Sequence, residues 1–158
     1  MKGMYDMDKA ERINVLGKFC GRRDIPSLTQ KSLQDAYGIK KADLFVLFGG
    51  SILEGGKVLA EAIKAEIAEK YIIVGGAGHT TETLREIIGK NFNGIDTKNL
   101  TEAEMFNIYI KEMYGLQADY LECNSTNCGN NITLLLELMQ TNHIKCDSII
   151  LAQQPVST

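Results

Sequence analysis

Tryptophan is absent from these 158 residues, proline and histidine occur twice each, and no apolar stretch runs unbroken for more than a few positions. A membrane-spanning helix needs roughly 20 consecutive apolar residues, and nothing here approaches that length. The opening segment MKGMYDMDKAERINV lacks the uninterrupted apolar core of a secretion signal, so the expectation is a cytoplasmic chain with no membrane partner. Basic residues cluster only at Arg22-Arg23 and Lys40-Lys41, and the net charge is −3. A nucleic-acid partner is therefore not expected. The cysteines Cys20, Cys123, Cys128 and Cys146 contain no C-x-x-C spacing. They read as reduced, mostly buried thiols, and with only His79 and His143 to add, no metal site is expected.

What is present is enough apolar material, 44% of the residues, for one core in a single-domain length. The first forty positions read as an N-terminal helical extension, residues 1–40. It holds one helix near 7–20, with Ile13, Leu16, Phe19 and Cys20 on one face, and another near 28–37 closed by Gly38. Pro26 separates the two. From residue 41 the pattern becomes short apolar runs alternating with helical periods, the mark of strands covered on both faces by crossover helices.

The strand readings are Leu44 to Phe48, Tyr71 to Val74, Tyr120 to Cys123 and Ser148 to Ala152, with Glu122 interrupting the third. Helices are expected near 57–69, 102–114 and 130–141. Thr101-x-x-Glu104 is a capping box, Thr83-x-x-Glu86 is a second candidate, and Gly115 ends the middle helix. Residues 89–100 lack periodicity and read as an exposed loop or lid. The fold class predicted is α/β, a Rossmann-like doubly wound parallel sheet over 41–158. Such a sheet normally continues with a covering helix, and after Gln153-Gln154-Pro155 little remains. The domain is therefore expected to be C-terminally incomplete.

In an open parallel sheet all strands deliver their carboxyl ends to one edge, and ligands bind there. The residues brought to that edge are Gly49, Gly50 and Ser51, then Gly75, Gly76, Gly78, His79 and Thr80, then Asn124 to Asn131, then Gln153 and Gln154. Glycine pairs either permit tight turns or let backbone N–H groups approach a polar ligand. The segment CNSTNCGNN gathers more amides and hydroxyls than one helix cap requires. His79 reads either as a base or as an ordinary exposed imidazole. Cys128 reads as an inert thiol rather than a nucleophile. Gly76-Ala77-Gly78 begins a dinucleotide fingerprint, but Thr81 stands at its third glycine, and no Walker motif is present.

The segments ADLFVLFGGS, IIVGGAGHTTETL, LTEAEMF and ECNSTNCGNNI, in that order, resemble the YdcF-like family, related to the SanA and ElyC envelope-associated proteins. The resemblance spans about residues 40–154. It implies site roles for Gly49, Gly50, Gly75, Gly76, Gly78, Glu102, Ser125, Asn127 and Asn131. It also implies S-adenosylmethionine as a ligand, with no settled reaction. The broader family usually carries threonine and glutamate where this chain has Cys128 and Asn130, and aspartate near Gln154.

Two functional expectations follow. One is a protein that binds S-adenosylmethionine or a related nucleotide-like small molecule, with glycine turns holding its carboxylate or phosphate and with Glu102, Asn127 and Asn131 fixing polar groups. The other is an envelope-linked hydrolase or transferase acting on a phosphorylated or glycan precursor, with Glu102 or His79 as base. A homo-oligomer formed through an exposed last strand is a further expectation.

Overall fold

The computed structural model describes residues 8–21 and 23–154, without the side chains of 16–20. The chain divides into two units, residues 1–26 with 155–158, and Ser27–Gln154. The first contains α1, Lys9–Cys20. Asp8 and Glu11 cap its start reciprocally, each carboxylate accepting the other's backbone N–H at 2.8 and 3.1 Å. Ile13 on α1 is exposed. The expected partners on its face, Leu16, Phe19 and Cys20, and the strand stop at Pro155 lie outside the described side chains and residues.

The second unit is an α/β fold in element order α2 (Gln30–Tyr37), β1 (Ala42–Phe48), α3 (Glu54–Lys64), β2 (Ala68–Val74), α4 (Thr81–Asn91), α5 (Glu102–Tyr114), β3 (Tyr120–Glu122), α6 (Cys128–Thr141), β4 (Ile149–Ala152). The sheet order is β3-β2-β1-β4, and all the pairings are parallel. This is the expected Rossmann-like doubly wound arrangement, in which the chain leaves β1 in one direction and returns to its other side as β4. The unit begins at Ser27 and takes in α2, because Leu33 is buried and the Gln30 amide donates to the Ala65 and Glu66 carbonyls behind α3.

Alternation along β1 sends Leu44, Val46 and Phe48 to one face and Phe45 and Leu47 to the other. On the first face they join Ile72, Val74 and Leu135, with Leu138 and Met139 of α6 packed alongside. On the second, α3 and α5 pack against each other and against the sheet. Gly55 and Gly56 make that approach close: a Cβ on Gly56 would lie 2.5 Å from the Tyr109 ring. Asp43 fastens β4 to β1, its Oδ2 accepting from the Asp147 and Ser148 backbones and from the Ser148 hydroxyl. Those bonds hold its carboxyl below the usual value.

Several local readings change. Helix α3 starts at Glu54 and stops at Lys64, and β2 begins at Ala68 rather than Tyr71. The apolar period through Ile67 masks the break, and Glu66 makes the left-handed turn (φ +49°) where a glycine would have announced it. Gly38 and Gly115 do announce the ends of α2 and α5, at φ +73° and +68°. Thr83 and Glu86 form no capping box, because α4 has already begun at Thr81. Residues 92–101 form a connection clipped to α4: Arg85 donates through Nε and Nη2 to the Leu100 carbonyl, and Thr97 donates to the Arg85 carbonyl.

On α6 the buried residue is Leu135, and Ile132 and Leu136 are exposed. Strand β4 departs from the expectation of strands buried on both faces, since Ile149 and Leu151 are exposed. The register puts those two beside Leu44 and Val46, on the face where Leu135 of α6 packs. The cysteines also differ from expectation: Cys128 is exposed and Cys123 and Cys146 are half-buried, all three free.

The capping box of α5 is present in full. The Thr101 hydroxyl accepts the Glu104 N–H at 3.3 Å, and the Glu104 carboxylate accepts the Thr101 N–H at 2.8 Å. Thr101→Ala is expected to cost about 1 kcal/mol of stability, the usual worth of such a cap. Urea denaturation of the two proteins measures it.

Candidate functional site

The carboxyl ends of β1 and β2 meet the first turn of α5 at one residue, Glu102. The ladder continues one step past the strands: Gly49 N–H donates to the Val74 carbonyl at 2.7 Å, and Gly75 N–H to the Glu122 carbonyl at 2.9 Å. The next carbonyls turn toward α5, Gly76 accepting the Glu102 N–H at 3.0 Å and Gly75 the Ala103 N–H at 2.8 Å. Two otherwise orphaned donors at a helix start are satisfied this way.

Glu102 is 8% exposed. Its Oε1 accepts the hydroxyls of Thr81 at 2.9 Å and Thr80 at 3.2 Å. Its other oxygen lies between the two glycines, where a Cβ on Gly49 would come within 2.5 Å of it and one on Gly75 within 3.4 Å. Burial pushes the Glu102 carboxyl above its ordinary value of 4.5, against the opposing pull of the hydroxyls of Thr81 and Thr80.

The second glycines of the two turns face elsewhere. Gly76 is pressed against the β3–α6 turn: its N–H donates to the Ser125 hydroxyl at 3.0 Å, and an added Cβ would fall onto the Ser125 carbonyl. Gly50 lies under the Gln154 side chain, whose Oε1 accepts the Ser51 N–H at 3.1 Å. A glutamine oxygen thus occupies the backbone donor of the β1–α3 turn.

The sequence-predicted residues therefore separate into groups. Gly49, Gly75, Thr80 and Glu102 converge on one carboxylate, and Gly50 and Ser51 meet Gln154. Ser125 is buried and binds Gly76, so its hydroxyl joins two turns. The anion cradle expected of Gly75 and Gly76 is not formed, because their N–H groups are taken by Glu122 and Ser125 and their carbonyls by α5. Gly78 donates its N–H to the Thr81 hydroxyl. His79 is exposed on that turn.

Asn127 is the N-cap of α6, its side chain accepting the Asn130 N–H at 2.9 Å. Asn131 is half-buried in the first turn of the same helix, its N–H donating to the Asn127 carbonyl. Sequence reasoning missed two residues. Thr81, 2% exposed, shows in the sequence only as a departure from the third fingerprint glycine. Glu122 was read as an interruption of a strand, yet its Oε1 accepts the Asn124 and Ser125 N–H groups at 2.6 and 3.1 Å and shapes the β3–α6 turn. An acidic residue ending an apolar run just before a polar turn was the available signal for it.

No group of three or more His, Cys, Asp and Glu side chains placed to hold a metal ion occurs among the described residues. No helix among them is long and apolar enough to cross a membrane. Fold and site together define a Rossmann-like α/β protein with a buried carboxylate at the strand-end edge. No family model matches the chain, and no curated protein is significantly similar to it.

Two substitutions separate packing from ligand space. Gly76→Ala is expected to destabilise by about 2 kcal/mol or more through overpacking against the Ser125 backbone. Gly78→Ala, whose added carbon would meet nothing nearer than 3.6 Å, is expected to leave the denaturation midpoint almost unchanged.

The raised Glu102 carboxyl predicts a pH signature. Between 4.5 and its higher folded value the native state holds more protons than the unfolded one, so stability rises on acidification and falls as pH rises. Glu102→Gln removes that dependence. It is expected to match or exceed the wild type in thermal midpoint at pH 7.5, with the gap closing toward pH 4 as the wild-type carboxyl protonates. A wild type that gains on the variant with rising pH would contradict this.

Proposed function

We propose that this chain binds S-adenosylmethionine or a related nucleotide-like small molecule at the strand-end edge, with Glu102 taking a hydrogen-bond donor of the ligand. The observation that carries this reading is the Glu102 carboxylate itself, one oxygen tied to two threonines and the other set between two glycines at the edge where ligands of this fold bind. A carboxylate in that setting favours an ammonium or a hydroxyl and repels a phosphate, so the ligand turns its donor-bearing part to Glu102.

The acidic part of the ligand suits the Ser51 N–H, in place of the Gln154 oxygen that sits there. S-adenosylmethionine carries both kinds of group, an ammonium or ribose hydroxyls for the Glu102 acceptor and a carboxylate for the Ser51 donor. Asn131, half-buried at the start of α6, is the further polar side chain assigned to the ligand. The resemblance of the four ordered segments to the YdcF-like family supports the same ligand.

A second reading draws on the raised carboxyl of Glu102. Burial raises it above the ordinary carboxyl value, the direction that makes a carboxylate a stronger general base. A hydrolase or transferase for a phosphorylated or glycan precursor would use it so.

Calorimetric titration of the chain with S-adenosylmethionine, S-adenosylhomocysteine and adenosine separates these readings. Saturable heat is expected with the first two, and Glu102→Ala is expected to weaken binding at least about tenfold, the worth of one hydrogen bond to a charged group. Absence of heat with every adenosyl ligand, together with precursor turnover that disappears in Glu102→Gln, would establish the second reading instead.

A further inference from the structure

Thr81 occupies a position that the ligand reading leaves unexplained. It is 2% exposed at the start of α4, and its hydroxyl accepts the Gly78 N–H at 2.7 Å. The same hydroxyl lies 2.9 Å from Glu102 Oε1. A hydroxyl has one proton, and a carboxylate oxygen can only accept, so that proton points at Glu102. The result is a directed chain of hydrogen bonds from the Gly78 amide through Thr81 to Glu102 Oε1, each bond polarising the next. Thr80 reaches the same oxygen from an exposed position at the longer distance of 3.2 Å.

We propose that Thr81 is a positioning residue, which holds Oε1 of Glu102 so that Oε2 alone faces the ligand and which keeps the carboxylate ionised in its buried seat. The assignment rests on Glu102 being the ligand-contacting residue, but the chain of bonds is present without any ligand. The physical reason is competition. Burial favours the neutral acid, and a donor aimed at the charged form opposes it; Thr81 is the larger of the two opposing hydroxyls.

Among the described residues no formal charge competes for this role: Glu122, buried at the end of β3, turns its Oε1 to the Asn124 and Ser125 N–H groups. The charged residues of β1 and β2, Asp43, Glu69 and Lys70, belong to the opposite ends of those strands. On α4 Glu82 and Arg85 pair with each other at 3.1 Å, on α5 Glu104 is engaged with Thr101, and His79 is exposed on the turn.

The test reads Glu102 directly, by carbon-13 NMR titration of the side-chain carboxyl in the full chain labelled with glutamate, the resonance being assigned with Glu102→Gln. Thr81→Val is expected to move the midpoint upward by about one pH unit, the scale of one charge-assisted hydrogen bond. Thr81→Ser, which keeps the hydroxyl, is expected to titrate with the wild type, and Thr80→Val to move the midpoint less than Thr81→Val.

Coincident curves for Thr81→Val and wild type would overturn the proposal. If Thr81→Val does not give a dispersed spectrum, the other two variants decide. A wild-type midpoint in Thr81→Ser with a small move in Thr80→Val supports the assignment. A shifted midpoint in Thr81→Ser, or a full unit in Thr80→Val, overturns it. Because no ligand enters this titration, its failure would leave the binding reading standing, and a failed calorimetric titration would leave this one standing.

Discussion

A carboxylate removed from water must find donors or give up its charge, and in this protein the arrangement of the strand ends follows from where Glu102 finds them. Its helix is held to the sheet by the Gly75 and Gly76 carbonyls, its Oε1 by Thr80 and Thr81, and its Oε2 fits only because Gly49 and Gly75 carry no side chain. The turns after β1 and β2, the start of α4 and the first turn of α5 are thus parts of one constraint. Moving any of them would leave a buried charge short of a partner, which costs far more than a surface rearrangement.

The glycine pairs look alike in sequence and differ in use. The first member of each pair makes room for Glu102. The second members have other neighbours, Gly76 pressed against the Ser125 backbone and Gly50 under the Gln154 amide. Both pairs lie in the turns just past the strands, where the chain changes direction, so adjacent glycines meet different neighbours. One neighbourhood is closed packing. The other two, at Glu102 and at Ser51, place an acceptor and a backbone donor within one edge.

Much of the framework was legible beforehand. The four apolar runs, the alternation with helical periods and the capping box at Thr101 led to a doubly wound parallel sheet, because each is a local pattern with a local physical cause. The errors arose where the cause was not local. Helix α3 ends at a left-handed Glu66 that no glycine marks, and Thr81, at the start of α4, bonds through its hydroxyl to Gly78 and to the distant Glu102. For the site, the glycines are readable as candidates from the turn pattern and Glu102 only through the resemblance of its segment to a known family, whereas the separate duties of Gly49 and Gly50, or of Ser125 and Asn131, are not readable at all.

The sequence by itself determined the class of fold and the edge at which polar and glycine residues collect, since apolar period, turn chemistry and capping act over a few residues. Only the tertiary structure decided which of those residues face one another. Glu102 lies far along the chain from Gly49, and Gln154 farther still from Ser51; contacts of that kind depend on strand order and crossover, which no local pattern encodes. The glycine-rich edge is therefore a property of the sequence, and its division into a buried carboxylate, a packed seam and an amide-covered turn is a property of the fold.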